Sequence, residues 1–137
     1  MAHWLFKEEP SHYSFDDLVH DKKTVWAGIE NNLALIHLRN VAKGDRVFFY
    51  HTGDERAVVG TMKVVKGPYA DPKRNDPRLV VVDVKPVARL ARPVTLAEIK
   101  TNAKFADFAL AKISRLSIMP VTPDQWLEIV RMSNQKG

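Results

Sequence analysis

The chain contains no cysteine, which excludes disulfide frameworks, Cys-based zinc sites, iron–sulfur clusters and a thiol nucleophile. No apolar run approaches the ~18 residues that a membrane span requires. The start, Met1-Ala2-His3-Trp4, lacks the basic segment and apolar stretch of a secretory signal. A soluble protein of the cytoplasm, without membrane contact, is the expectation. Phosphate-loop, dinucleotide-binding, zinc-protease and nucleophile-elbow patterns are all missing. His3, His12, His20, His37 and His51 include no pair at the spacing that aims two imidazoles at one metal, so neither metal nor cofactor is expected. Internal repeats and low-complexity tracts are absent too.

What remains is a chain of 137 residues, 45% hydrophobic and 27% charged, the profile of one globular domain. The domain is expected over residues 1–132, with a frayed tail from Ser133 to Gly137. The net charge is +5 and it is unevenly placed. Residues 1–55 hold 6 Lys/Arg against 9 Asp/Glu, whereas residues 56–137 hold 15 against 7. A basic half beside a mildly acidic one suits a polyanion laid across one surface, although a well-solvated basic protein has the same composition.

Trp4 to Phe6 reads as a strand ended by Lys7-Glu8-Glu9-Pro10. Ser14 caps a helix running to about His20, Lys23–Trp26 is strand-like, and Asn31 or Asn32 caps a helix leading to Arg39. Three better strands follow at Arg46–His51, Ala57–Lys66 and Leu79–Leu90. Gly60 signals a bulge or a close backbone approach, and Pro86 an edge or a bulge. Gly67–Pro77, rich in Pro, Asp and basic residues, is expected to be a long irregular loop whose Lys73 and Arg74, with the adjoining Arg78, suit phosphate contact. Thr95 and Thr122 each begin a capping-box helix, and Arg115–Val121 is a short strand ended by Pro120. Hairpin-spaced strands with short helices predict an α+β class with a small curved sheet or open barrel at its centre.

Trp26-Ala27-Gly28-Ile29-Glu30-Asn31 carries the most chemistry. An indole beside a flexible Gly and an amide-bearing Asn suits a pocket for a flat heterocycle, and it equally suits a core Trp followed by a helix cap. Tyr50-His51 presents a phenol and an imidazole at a strand end, on opposite faces of the strand. Glu9 and His51 are the candidate general bases of an alternative, enzymatic reading.

Trp4-Leu5-Phe6-Lys7-Glu8-Glu9-Pro10, Trp26-x-Gly28-Ile29-x-Asn31, Lys43–His51, Val82-Asp83-Val84, Arg92–Leu96 and Arg115–Val121 occur in an order and spacing that resembles the EVE domain family. The resemblance implies a PUA-like fold of about five to six mostly antiparallel strands in a curved barrel with flanking short helices. It also implies a non-enzymatic binder of a modified base, 5-methylcytosine or an oxidised derivative in DNA or a modified base in RNA, acting as a monomer. On that resemblance Trp26, Gly28 and Asn31 line the pocket, Lys7, Glu9 and Pro10 its mouth, Tyr50 and His51 its floor or wall, and Ser117 and Pro120 another side. Arg39, Lys73, Arg74, Arg78 and Arg115 are the candidate phosphate contacts. The chain departs from the family pattern at Glu8, where Ser is usual, at Ala27, at Glu30, where a basic residue is usual, and at Asn32 and Leu33.

Overall fold

Along Val47–Tyr50 every side chain is buried, so strand β3 (Arg46–His51) must be covered on both faces and lie inside a sheet. The computed structural model, which describes residues 1–135, places it there. The other strands are β1 (His3–Glu8), β2 (Thr24–Trp26), β4 (Ala57–Ala70), β5 (Val80–Thr95) and β6 (Ile118–Val121). They form one sheet in the order β2-β5-β4-β3-β1-β6, with β1 and β3 parallel and the other neighbours antiparallel. The α+β class and the strand count agree with the sequence. The sheet is not closed, so the barrel description fits loosely: β2 and β6 are its edges.

Helices α1 (Phe15–Asp21) and α2 (Asn32–Asn40) lie on one face, α3 (Leu96–Lys100), α4 (Ala109–Lys112) and α5 (Pro123–Ser133) on the other. Strand alternation sorts the aromatics accordingly. Trp4 meets His37 of α2, and Phe6 and Phe49 meet Trp26 and Phe15. On the opposite face Phe48 stacks on Trp126 of α5 with ring centroids 3.8 Å apart, and His3 reaches the same indole.

Local signals mark the helix starts. Ser14, Thr95 and Thr122 each form a reciprocal capping box, and the side chain of Asn31, not Asn32, accepts from the Ala34 amide to cap α2. Gly60 faces the Phe15 ring so closely that a Cβ there would lie 2.5 Å from Cζ. The β3–β4 register shifts between Phe49 and Tyr50, opposite Gly60 and Val58. Pro86 sits next to a shift between Thr61 and Met62, and β2 covers β5 only from Val82 to Val84, so its missing N–H interrupts no continuous ladder.

Long-range pairing overrode several expectations. Strand β4 runs on to Ala70 against Val80, so the irregular loop begins at Asp71 rather than Gly67. Strand β5 continues to Thr95 instead of stopping at Leu90. Val81 and Asp83 are as buried as Val80 and Val82, because both faces are covered there and alternation loses its meaning. β6 begins only at Ile118, and Pro120 lies inside it at the sheet edge. Ser133 belongs to the last turn of α5 and is buried, so it is no tail; of the expected tail, residues 136–137 lie outside the described residues.

Candidate nucleic-acid interface

Alternation along β1 puts Glu8 on the same face as Phe6, and Phe6 packs against Trp26 at the end of β2. The chain leaving β1 turns through Pro10–Tyr13, where the His12 and Tyr13 amides both bond to the Glu9 carbonyl. These pieces enclose an open cleft of about 380 Å³ walled by Glu8, His12, Tyr13, Thr24, Val25, Trp26, Ala27 and Gly28. Its size falls in the range of small-molecule sites.

Trp26 is 4% exposed, between Phe6 and Phe49 at centroid distances of 5.4 and 5.3 Å. So buried an indole offers no face for a base to stack on. Its N–H makes no hydrogen bond within the described residues, and the one fully buried side-chain polar atom left without a partner there is Arg74 Nη2. The indole N–H therefore keeps contact with solvent, and what Trp26 shows the cleft is a donor edge. Asn31 spends its side-chain oxygen on the Ala34 amide. Tyr13, which sequence reasoning missed, supplies the partly exposed ring. Its hydroxyl donates to Asp21 at 2.9 Å, and burial raises its pKa. The one available signal was its place between Pro10 and the Ser14 cap.

Gly28 has φ +84° and nothing within 4 Å of a Cβ built on it. Glycine is needed there for the left-handed backbone rather than for packing, and it leaves the cleft wall flat.

Residues 2–132 match the family model of the EVE domain. The chain belongs to the EVE domain family. It is 31% identical to human thymocyte nuclear protein 1 over 159 aligned positions, spanning 91% of this chain and 71% of that protein. Among solved structures it is similar to a Rhodopseudomonas palustris protein, at 38% identity and TM-score 0.92 over 97% of this chain and 93% of that one. It is also similar to human THYN1 protein in complex with 5-methylcytosine-containing DNA, at 28% identity and TM-score 0.92 over the whole of both chains.

Several residues that the family resemblance assigns to the pocket lie elsewhere in this EVE domain. Lys7 and Tyr50 occupy the other face of the sheet. The Lys7 ammonium donates to the Ser114 carbonyl at 3.1 Å and sits over the Tyr50 ring. Burial lowers the Lys7 pKa and pushes the Tyr50 phenol up to about 12. Ser117 accepts the Lys7 amide through its backbone, and Pro120, opposite Trp4, is three residues further along β1. Arg115 lies in the turn before β6, next to Ser114, whose carbonyl receives Lys7.

Glu9 and His51 have structural partners. Glu9 accepts from Ser11 and from Thr52, tying the Pro10 turn to the β3–β4 hairpin at Gly53. His51 Nε2 accepts the Phe15 amide at 3.0 Å, which places the ring proton on Nδ1, 2.7 Å from the Glu55 carboxylate. That lone pair is committed to the backbone and not to a substrate proton.

Three of the five candidate phosphate contacts converge beside the cleft. Arg39 of α2 donates to the Arg78 carbonyl at 2.7 Å, and Asn32, Ile36, Arg39, Pro77 and Arg78 line an open groove of about 630 Å³. Arg74 pairs with Asp71 at 2.9 Å and lies 3.7 Å from the exposed Glu30 carboxylate, which links the 71–79 loop to the segment that follows Gly28. Arg78 bonds to Asp76 and holds that carboxyl down at about 2. Lys73 rides on the same loop, its amide bonded to Asp71. No helix among the described residues is long and apolar enough to cross a membrane.

Proposed function

We propose that this EVE domain is a non-enzymatic DNA-binding module that takes a modified base, 5-methylcytosine first, into the cleft between Tyr13 and Gly28. The observation that carries this reading is the full-length similarity to THYN1 protein, solved in complex with 5-methylcytosine-containing DNA. The cleft supports it with a partly exposed phenol for stacking and a flat glycine wall for close approach. Arg39 and Arg78 receive the flanking phosphates, supplying affinity without sequence preference. An extruded base reaches such a site more readily from a mismatch or a single strand. The domain acts as a monomer, and both candidate general bases spend acceptor atoms on protein donors, which favours binding over turnover.

Fluorescence anisotropy on single- and double-stranded DNA and RNA, with cytosine or 5-methylcytosine at one position and at two salt concentrations, tests this. One buried methyl corresponds to a preference of about fivefold that persists at high salt. Tyr13→Ala is expected to reduce affinity at least about tenfold without unfolding the domain. Equal binding of all oligonucleotides, fading together with salt and indifferent to Tyr13→Ala, would sink the proposal.

A further inference from the structure

Glu8 puts a carboxylate in the cleft wall, a surprising group to meet an anionic polymer. Its Oε1 accepts the Glu9 amide at 3.0 Å and faces His12 Nδ1 at 3.1 Å. Oε2 has no hydrogen-bond partner among the described residues, and the side chain is 26% exposed. The same cleft holds the unpartnered Trp26 indole N–H. Beyond β2, the N–H groups of Ala27 and Gly28 make no backbone hydrogen bond among the described residues either. One wall therefore offers a carboxylate acceptor and the others offer donors.

A base edge complementary to that arrangement has a donor beside an acceptor. Cytosine presents its N4 amine next to ring N3, and 5-methylcytosine and its hydroxymethyl derivative keep both. Adenine presents N6 and N1 in the same order. Thymine and uracil reverse the pattern, turning a carbonyl oxygen and a ring N–H to the same places. A carboxylate facing that carbonyl would be desolvated without a partner, which is strongly unfavourable.

We infer that Glu8 is a specificity-determining residue that accepts the exocyclic amine of the bound base, so that the cleft selects amino-bearing bases against thymine and uracil. The inference rests on the proposed base-binding role of the cleft. A carboxylate accepting from cytosine N4 is an established pairing type in nucleic-acid readout, and a good polar match discriminates about ten- to hundredfold. The function of the carboxylate is exclusion as much as attraction, because thymine carries the same 5-methyl group as 5-methylcytosine and apolar contact alone cannot separate them.

The experiment compares wild type, Glu8→Gln and Glu8→Ser by anisotropy on one oligonucleotide. It carries 5-methylcytosine, cytosine, adenine, thymine, uracil or an abasic site at a single unpaired position, and melting curves verify the fold. Wild type is expected to prefer 5-methylcytosine over thymine by at least about tenfold. Glu8→Gln, whose amide can turn to face either partner, should reduce that ratio to about threefold or less, any uniform gain from the lost charge being read on the abasic site and divided out. The adenine arm shows whether a purine with the same edge is also taken. A cleft that prefers 5-methylcytosine to cytosine but binds thymine equally well overturns the role of Glu8 and leaves the base-binding reading standing. A thymine discrimination that survives both Glu8 variants does the same. Indifference of wild type to every base, the abasic site included, overturns both.

Discussion

Trp26 is the residue on which core and cleft meet, and two substitutions separate its roles. The indole is 4% exposed against Phe6 and Phe49, so Trp26→Ala removes a large ring from a packed interior. Truncations of that kind cost about 3–5 kcal/mol. For a domain of 137 residues this lowers Tm by on the order of 10 °C. Total stabilities are about 5–15 kcal/mol, so the variant is partly compromised before any ligand is added. Loss of DNA binding by Trp26→Ala would therefore not by itself report on the cleft. Trp26→Phe retains an aromatic ring and removes the indole N–H that the protein leaves unpartnered. A neutral hydrogen bond contributes about 0.5–1.5 kcal/mol, so affinity for the preferred oligonucleotide should fall about two- to tenfold. Urea denaturation followed by circular dichroism gives the stability term, and anisotropy the binding term. A Trp26→Ala variant destabilised by less than about 1 kcal/mol would refute the core assignment. A Trp26→Phe variant with unchanged affinity would refute the donor assignment.

Gly60→Ala would place a methyl 2.5 Å from Cζ of the buried Phe15 ring, and overpacking of that kind costs about 1–3 kcal/mol; an unchanged urea midpoint would contradict the close approach. Glu128 is held at about 2, below the ordinary 4.5, chiefly by its hydrogen bonds to Arg131. Its folded pKa is the lower one, so its contribution is complete above about pH 4.5 and is lost as pH falls toward about 2. Glu128→Gln should therefore lower stability at pH 7 by about 1–2 kcal/mol and flatten the pH dependence between those limits. Denaturation curves at pH 7 and pH 3 that move in parallel for both proteins would be inconsistent with that assignment.

Local chemistry made much of this domain legible. The Ser14 cap, the capping boxes at Thr95 and Thr122, strand β3 and the choice at Gly60 between a bulge and a close approach are legible from groups within a few residues, and for α2 the chain offers Asn31 or Asn32 as the cap. The alternation of Phe48 to His51 already separated Tyr50 from His51, and the structure puts them on the two faces of the sheet. The family resemblance nonetheless joins Lys7 and Tyr50 to the pocket of Trp26, because a linear motif carries no statement of which face a side chain takes. The free oxygen of Glu8 had no signal of its own in the chain, and Tyr13 only its place between Pro10 and the Ser14 cap.

By itself the sequence determined the class and the capped helix starts, which rest on periodicity, capping and turn chemistry over short distances, and the family, which rests on the order and spacing of short motifs. Tertiary structure alone decided that Trp26 shows an edge and not a face, that His51 serves the Phe15 amide, and that Glu30 links a basic loop to the segment that follows Gly28. Those outcomes depend on atoms brought together from residues tens of positions apart. The reason is that burial and hydrogen-bond partnership are properties of a neighbourhood, and the sheet order β2-β5-β4-β3-β1-β6 builds neighbourhoods that the order of the chain does not contain.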